Sequence, residues 1–498
     1  MITKYLHLIT IFFLMSGCNK KDYYIQEKIN NGYNYNQSLF QQDIFEEKES
    51  VLLEIEIGSI PIWLSGRLVQ NGPGKFKVGS DQLKHWFDGF ALLRSINFVD
   101  GKAYFSSAFL KTDQYLNSMD QQKIRLVGFA DNYGEDEKVK ISHDGQKIGT
   151  SNANINIEEI NNHFFALGET PLPVEFDPIT LKTQSILDYD DKLKKSFSLE
   201  SSHMKRDYND NSLYNFYIDY GLMSNYVIYK ITNNSFKREV IAKQKIAYPS
   251  YMHDFSITEN YIILTAYPLI INPLNLLSSK KTFIGSHKWQ PNLGTIIYIF
   301  DKKLKKLVNK IKTKSIFAFH HINAYEDSLH NINLYMSVVD SPNIITELGD
   351  ITNKYNEISL THFKINPKNS EINISKLSNE SYELPTIAKH LTGKKNKYFY
   401  AVWFSTPSRQ NSYGLAKYNL ETNKSIHWFE ENIFIGEPLF IPSPTALQED
   451  DGVIITIGYD IHKRSSYLFI FNALNLNLLV KARLPQALPQ GLHGKFIK

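Results

Sequence analysis

Thiol chemistry is almost absent from this chain: 498 residues carry one cysteine, Cys18. No intramolecular disulfide can form, and a metal site built from paired cysteines is excluded. Charge of one sign is scarce as well. The 55 Lys+Arg and 51 Asp+Glu leave a net +4, spread evenly and without the basic block that tracks a phosphate backbone, so nucleic acid is not among the expected partners. Beyond the N-terminal leader no apolar run approaches the ~18 residues that cross a bilayer as a helix. Long amphipathic helical periods are missing too. With 42% hydrophobic and 21% charged residues, disorder and collagen-like sequence are excluded.

What the chain has in quantity is aromatic weight, 30 Tyr and 31 Phe, which suits strands and apolar pockets. From about Val51 onward, period-two alternation and short apolar runs bounded by turn residues predict an all-β protein. One pattern recurs: an apolar strand, a turn containing Asp or Asn, then a second strand. It reads LLRSINFVDGKAYF from Leu92, VEFDPITLKTQSIL from Val174, VIYKITNNSFKREVI from Val227 and IYIFDKKLKKLVNKI from Ile297. It returns as LTHFKINPKNSEINI from Leu360, LAKYNLETNKSIHWF from Leu415 and LFIFNALNLNLLVKA from Leu468. These seven hairpins follow one another at roughly 50 to 70 residues, with one wider gap near the start. A unit that cannot bury its faces alone, repeated at such spacing, predicts a seven-bladed β-propeller, with the long loops and short helices between blades forming a cap.

The N-terminus is organised differently. Met1 to Gly17 has a Lys near its start, an apolar run and then small residues, and Ser16-Gly17-Cys18 resembles a bacterial lipoprotein box, although Met15 stands where Leu is preferred. The expected organisation is a signal peptide over residues 1–17, lipidation at Cys18, a flexible Asn/Tyr/Gln-rich tether over 18–45, and one propeller domain over 46–498. Such a protein is anchored to a membrane of the bacterial cell envelope.

Of 15 histidines, four sit beside strand-like segments far apart in the chain. They are His203 in LESSHMKRD, His253 in YMHDFSITENY, His320 in FAFHHINAYED and His493 in GLHGKFI. Imidazole suits iron, copper, zinc and nickel, and only strands near a propeller axis bring such positions together. From the residues alone, metal ligation, core packing and surface placement all stay open.

The segment GRLVQNGPGKFKVGS…HWFDGFALL, from Gly66 to Leu93, strongly resembles the N-terminal signature of carotenoid cleavage oxygenases. So do the MHDFSITENY, FHHINAYED, GEPLFIPSPTALQEDDGV and LHGKF segments, in the right order along the chain. The wording is closest to the animal-like branch, with the β-carotene oxygenases and the retinal pigment epithelium isomerase. The resemblance implies a non-haem Fe(II), one per chain, held by His203, His253, His320 and His493. O₂ is the implied co-substrate. His320 rather than its neighbour His321 matches the ligand position. Three glutamates that orient the ligands are implied at Glu169, Glu383 and Glu437. Phe87-Asp88-Gly89 and Asn71-Gly72-Pro73-Gly74 are expected to set turns.

The implied reaction is O₂-dependent cleavage of a conjugated double bond in a carotenoid or apocarotenoid. Stilbene cleavage, retinoid isomerisation and binding of an apolar ligand without chemistry stand as alternatives, and no protein partner is inferable. The apolar stretch from Tyr267 to Leu277, interrupted by Asn and Pro, reads as a loop or short helical turn. Its counterpart in the family borders a hydrophobic tunnel mouth. Leu269, Ile270, Ile271, Leu274, Leu276 and Leu277 are therefore expected to face a membrane surface.

Overall fold

The seven hairpins read from the sequence are seven antiparallel strand pairs. They are Phe90–Val99 with Lys102–Phe109, Val174–Phe176 with Thr183–Ile186, Ser224–Ile231 with Glu239–Ile246, and Thr295–Asp301 with Lys306–Thr313. The remaining pairs are Ser359–Ile365 with Ile372–Lys376, Tyr413–Asn419 with Lys424–Trp428, and Ser465–Asn472 with Leu478–Arg483. The protein is described by a computed structural model covering residues 37–126, 128–131, 133, 152–193, 198–277, 282–347, 358–404 and 413–498. Residues 1–36, Cys18 among them, lie outside the described residues.

Each hairpin forms the outer part of one sheet, numbered blades 1 to 7 in chain order. Two inner positions complete each blade. They are Gly66–Gln70 and Gly494–Ile497 in blade 1, His163–Leu167 and Asn156–Ile160 in blade 2, and Tyr261–Ala266 and Ser256–Ile257 in blade 4. Blade 5 adds Ile332–Val338 and His321–Glu326, and blade 6 adds Tyr398–Phe404 and Ser381–Thr386. In blades 3 and 7 the innermost strand is broken in two: Ser198–Glu200 and Lys205–Asp207 flank Ser212–Asp219, and Ile433–Ile435 and Leu439–Pro442 flank Gly452–Asp460. Blades 6 and 7 merge into one ten-stranded sheet through a single parallel bridge, Tyr413 to Phe434. This is the expected seven-bladed architecture.

Closure uses both ends of the chain. The C-terminal strand Gly494–Ile497 pairs antiparallel with Gly66–Gln70, so blade 1 is built from the first and last parts of the domain. The consecutive strands Lys48–Leu52 and Glu54–Gly58 lie on the outer edges of blades 1 and 7 respectively. They tie the last blade to the first.

Two expectations need correction. The stretch 37–45, read as the end of a tether, is packed into the domain. Gln37–Phe40 is a helical turn, Leu39, Phe40 and Ile44 are buried, and the Leu39 carbonyl accepts from Gln490 N–H at 2.7 Å. Its polar composition hid three apolar anchors spaced too widely to show a period. Likewise, Leu269–Ile271 is a buried strand paired with His287–Trp289, so these three residues are core. Only the following Pro273–Leu277 is the helical turn expected. Pro268 and Pro273 punctuate the segment without preventing a three-residue strand between them.

Inter-blade contacts include a buried ion pair. Lys417 of blade 6 meets Asp450 of blade 7 at 2.5 Å and donates to the Leu474 carbonyl at 2.8 Å. Both charged groups are almost wholly buried, so breaking one partner strands the other. Lys417→Met is expected to lower unfolding free energy by about 3–5 kcal/mol, and adding Asp450→Leu should recover much of it. Urea unfolding of both variants checks this; equal loss in the single and double variants would show that the pair itself is not the source.

Candidate metal centre and substrate cavity

The innermost strands bring together side chains that are hundreds of residues apart. His203 sits in the break of blade 3's inner strand, His253 just before that of blade 4, and His320 just before that of blade 5. His493 immediately precedes the C-terminal strand of blade 1. Backbone contacts fix these positions. Ser201 Oγ accepts from His203 N–H at 3.1 Å and donates to the His253 carbonyl at 2.7 Å. The His493 N–H donates to the Ile155 carbonyl at 3.0 Å, and its own carbonyl accepts from Asn71 N–H at 2.9 Å.

One nitrogen from each of the four rings lies within 4.8 Å of the others. His203 Nε2 is 3.0 Å from His253 Nε2, and His320 Nε2 is 3.2 Å from His493 Nε2. The opposite ring nitrogens of three histidines meet carboxylates. His253 Nδ1 lies 2.6 Å from Glu169 Oε1, His320 Nδ1 2.5 Å from Glu383 Oε2, and His493 Nδ1 2.7 Å from Glu437 Oε1. An ionised carboxylate only accepts, which assigns the proton to Nδ1 and turns the Nε2 lone pair towards the shared centre. Burial pushes the imidazolium pKa of His203 and of His320 well below the usual value, with the neighbouring imidazoles acting in the same direction. Neutral imidazoles with converging lone pairs are cation ligands, and this donor set fits Fe(II).

The glutamates are held in turn. Tyr251 O–H donates to Glu169 Oε1 at 2.9 Å, Leu384 N–H to Glu383 Oε2 at 2.8 Å, and Gly494 N–H to Glu437 Oε2 at 2.8 Å. Leu384 has a left-handed backbone, φ 50°, and sits at a register shift in blade 6's inner strand. That departure from the pleat is uncommon for a non-glycine residue, and here it places a backbone donor on Glu383. Burial pushes the Glu383 carboxyl up to about 8; a divalent cation one imidazole away acts in the opposite direction.

His321 belongs elsewhere. Its Nδ1 meets Ser256 Oγ at 2.9 Å, and its N–H donates to Asp254 Oδ2 at 3.0 Å. His321 opens blade 5's inner strand with its ring turned to Ser256 and Tyr267, whereas His320, just before the strand, turns to the other imidazoles. Asp88 is a turn residue as expected, accepting N–H groups of Phe129, Ala130 and Asp131 at 2.5, 2.9 and 2.7 Å. Its neighbour Phe87 was not singled out for the site, yet it lines the cavity.

Two cavities meet at the histidines. The larger, of 310 Å³, is walled mainly by aromatic and aliphatic side chains such as Trp86, Phe87, Phe129, Phe283, Phe319 and Leu492. The second, of 200 Å³, is polar and lies among Glu158, Lys205, Arg206, Asp254, Lys389 and Lys495. His253 lines only the apolar cavity, His203 only the polar one, and His320 and His493 line both. In the polar cavity Lys495 and Arg206 lie 2.5 and 3.1 Å from Glu158. Against the cost of burial, they hold its carboxyl down to about 2. Sequence reading missed these cavity residues, because single aromatics and charges in loops carry no period. Tyr251 alone had a signal: it stands two residues before His253 in an extended segment, hence on the same side.

A propeller whose axis carries four converging imidazoles, three of them backed by carboxylates, is a metalloprotein scaffold. The chain belongs to the retinal pigment epithelial membrane protein (RPE65) family, whose model matches residues 41–498. It is similar to a Beta,beta-carotene 15,15'-dioxygenase of Gallus gallus, 28% identical over an alignment that spans 93% of this chain and 98% of the relative. A Carotenoid isomerooxygenase of Galleria mellonella is 29% identical over 91% of this chain and 95% of its own length. Among solved structures, the cobalt-substituted apocarotenoid oxygenase of Synechocystis matches with a TM-score of 0.81 at 23% identity, covering 93% of this chain and 98% of that one.

The geometry separates two adjacent histidines by experiment. His320→Ala should abolish stoichiometric iron binding, whereas His321→Ala should retain the metal even if it lowers thermal stability. Glu437→Gln keeps volume but loses charge and should weaken metal affinity about 10- to 100-fold. Metal analysis and chelator competition check all three; iron retained by His320→Ala would remove that residue from the ligand set.

Proposed function

We propose that the protein cleaves a conjugated carbon–carbon double bond of a carotenoid or apocarotenoid with O₂, giving two aldehyde or ketone products. The observation that carries this reading is that three carboxylate-backed histidines of the four-histidine centre line an aromatic-walled cavity. The carotenoid activities named for relatives along nearly the whole chain support it. The balance is simple: the double bond breaks, and each of its carbons gains one oxygen atom from the same O₂.

A ferrous ion, when bound, supplies the redox chemistry that O₂ needs to react with a closed-shell polyene. His203, His253, His320 and His493 would hold it, with Glu169, Glu383 and Glu437 fixing three of the rings. The protein's remaining work is positional. Phe87, Phe129 and Phe319 form edge-to-face contacts along the cavity, with ring centroids 5.6 Å apart for Phe87–Phe129 and 6.0 Å for Phe87–Phe319. Such walls grip a rigid polyene and keep water from the reacting bond.

The polyene is supplied from a membrane in this reading. Leu222, Met223, Tyr248 and Leu274 are 96%, 62%, 63% and 59% exposed. They cluster: Ser224 pairs with Ile246, and Ile271 N–H donates to the Pro249 carbonyl at 3.0 Å. Leu276 and Leu277 are only half-exposed, Leu276 packing on the core. A diacylglyceryl group on Cys18 would hold this patch against the envelope membrane.

Expression in a carotenoid-accumulating bacterium should bleach the pigment and release aldehydes. Resveratrol-type stilbenes run in parallel separate the alternative substrate class. Stilbene turnover with intact carotenoid would replace the proposed substrate, a cis–trans change without O₂ uptake would indicate isomerisation, and an iron-loaded protein inert to both would remove the enzyme reading.

Attachment is tested separately. Cys18→Ser should release the protein from membranes, and globomycin should accumulate its precursor. Leu222→Asp with Leu274→Asp should slow turnover of vesicle-borne substrate more than detergent-dispersed substrate; equal slowing would place the patch away from lipid.

A further inference from the structure

We propose that Phe40, carried by the segment that precedes the first blade, closes the inner end of the substrate cavity and so sets how much of a polyene passes the metal centre. This rests on the reading of the cavity as a polyene site. Phe40 lines that cavity and is 1% exposed. Its ring lies edge-to-face on Trp86, with centroids 5.0 Å apart. Trp86 Nε1 in turn donates to the Gln490 carbonyl at 3.1 Å, three residues before His493.

The cavity has a direction. Among its lining residues Thr170, in the connection that follows the inner strands of blade 2, is the exposed one; Phe87, Phe129, Glu169, Ser198, Phe283 and Leu384 are half-buried. Phe40, Trp86, Val402, Ile435, Gln490 and Leu492 are buried and include the walls supplied by blades 6 and 7. The cavity is therefore most open near Thr170, and Phe40 belongs to its buried wall.

The segment is strapped rather than loosely laid. Besides the bond from Gln490 to Leu39, Asp43 Oδ1 accepts from Phe76 N–H at 2.6 Å, and Ile44 N–H donates to the Gly74 carbonyl at 2.8 Å. Gln42 Nε2 donates to the Ala487 carbonyl at 3.1 Å. These bonds fix the backbone on both sides of the cavity wall.

A rigid rod that meets a wall has a defined register, and moving the wall changes which bond faces the metal. Phe40→Ala and Phe40→Leu should shift the cleaved bond of β-carotene further along the chain, or raise kcat/KM for β-carotene relative to a shorter apocarotenal by about tenfold. Phe40→Trp should move the ratio the other way. Product chromatography and the length ratio are read together with iron content and thermal midpoint, which report folding. Binding of a graded apocarotenal series, followed by tryptophan fluorescence quenching, tests the same stop without turnover: Phe40→Ala should accept longer members than the unaltered chain. Unchanged bond position, ratio and binding limit in folded, iron-loaded variants would overturn the proposal. Absence of cleavage by the unaltered chain, with a length limit that Phe40→Ala still relaxes, would instead count against the reaction and leave the stop in place.

Discussion

Four imidazole lone pairs forced towards one point repel one another unless a cation sits among them, and the rest of the structure is arranged around that constraint. Their nitrogens lie within 4.8 Å, far closer than unpaired buried histidines in an apolar interior gain anything by being. Each ring must stay neutral to ligate, and burial disfavours the imidazolium form at His203 and His320. Each ring must also stay aimed, which requires an acceptor on the other nitrogen. Glu169, Glu383 and Glu437 meet that need for three of the four. Buried Glu383 and Glu437 and half-buried Glu169 are costly as carboxylates without positive charge nearby, so the glutamates and the cation stabilise one another across the imidazoles.

The propeller satisfies this constraint with one contribution from every blade. His493 comes from blade 1, Glu169 from the strand connection of blade 2, His203, His253 and His320 from blades 3, 4 and 5, and Glu383 and Glu437 from blades 6 and 7. A ring of seven sheets offers seven inner edges to one axis, so no local motif is required. The cost falls on the inner strands, which must break or kink where the ligand shell needs a side chain off the pleat. The breaks around His203 and Glu437 and the left-handed Leu384 are those departures. Closure matters for the same reason: the strand that follows His493 is the one that seals blade 1, so the last ligand and the last strand are set by the same pairing.

Hairpins were legible in the sequence because each combines two local signals, alternation and a turn residue, within about fifteen residues. The ligand set was legible only through resemblance. Nothing local distinguishes His320 from His321, and the distinction rests on which way each ring turns at the start of blade 5's inner strand. Leu269–Ile271 read as a loop because flanking Pro and Asn outweighed three apolar residues, too few to establish a period. Phe40 was hidden for a related reason. Its neighbours are polar, and burial there comes from long-range bonds to Gln490, Gly74 and Phe76 that leave no trace in local composition.

The histidine ring is also a partition. On one side lies an aromatic cavity suited to a rod without polar groups, and on the other a polar cavity threaded by the Lys495–Glu158–Arg206 and Lys205–Asp254 ion pairs. A hydrated dication loses tens of kcal/mol of solvation in an apolar medium, so the aromatic side is closed to it and the polar side is not. Conversely, a polyene gains nothing from the charged cavity and is retained by the aromatic one. Placing His203 against the polar side and His253 against the apolar side lets one ring of ligands separate two environments. The centre then meets paired ions on its polar side and meets its substrate on the side walled by aromatic rings.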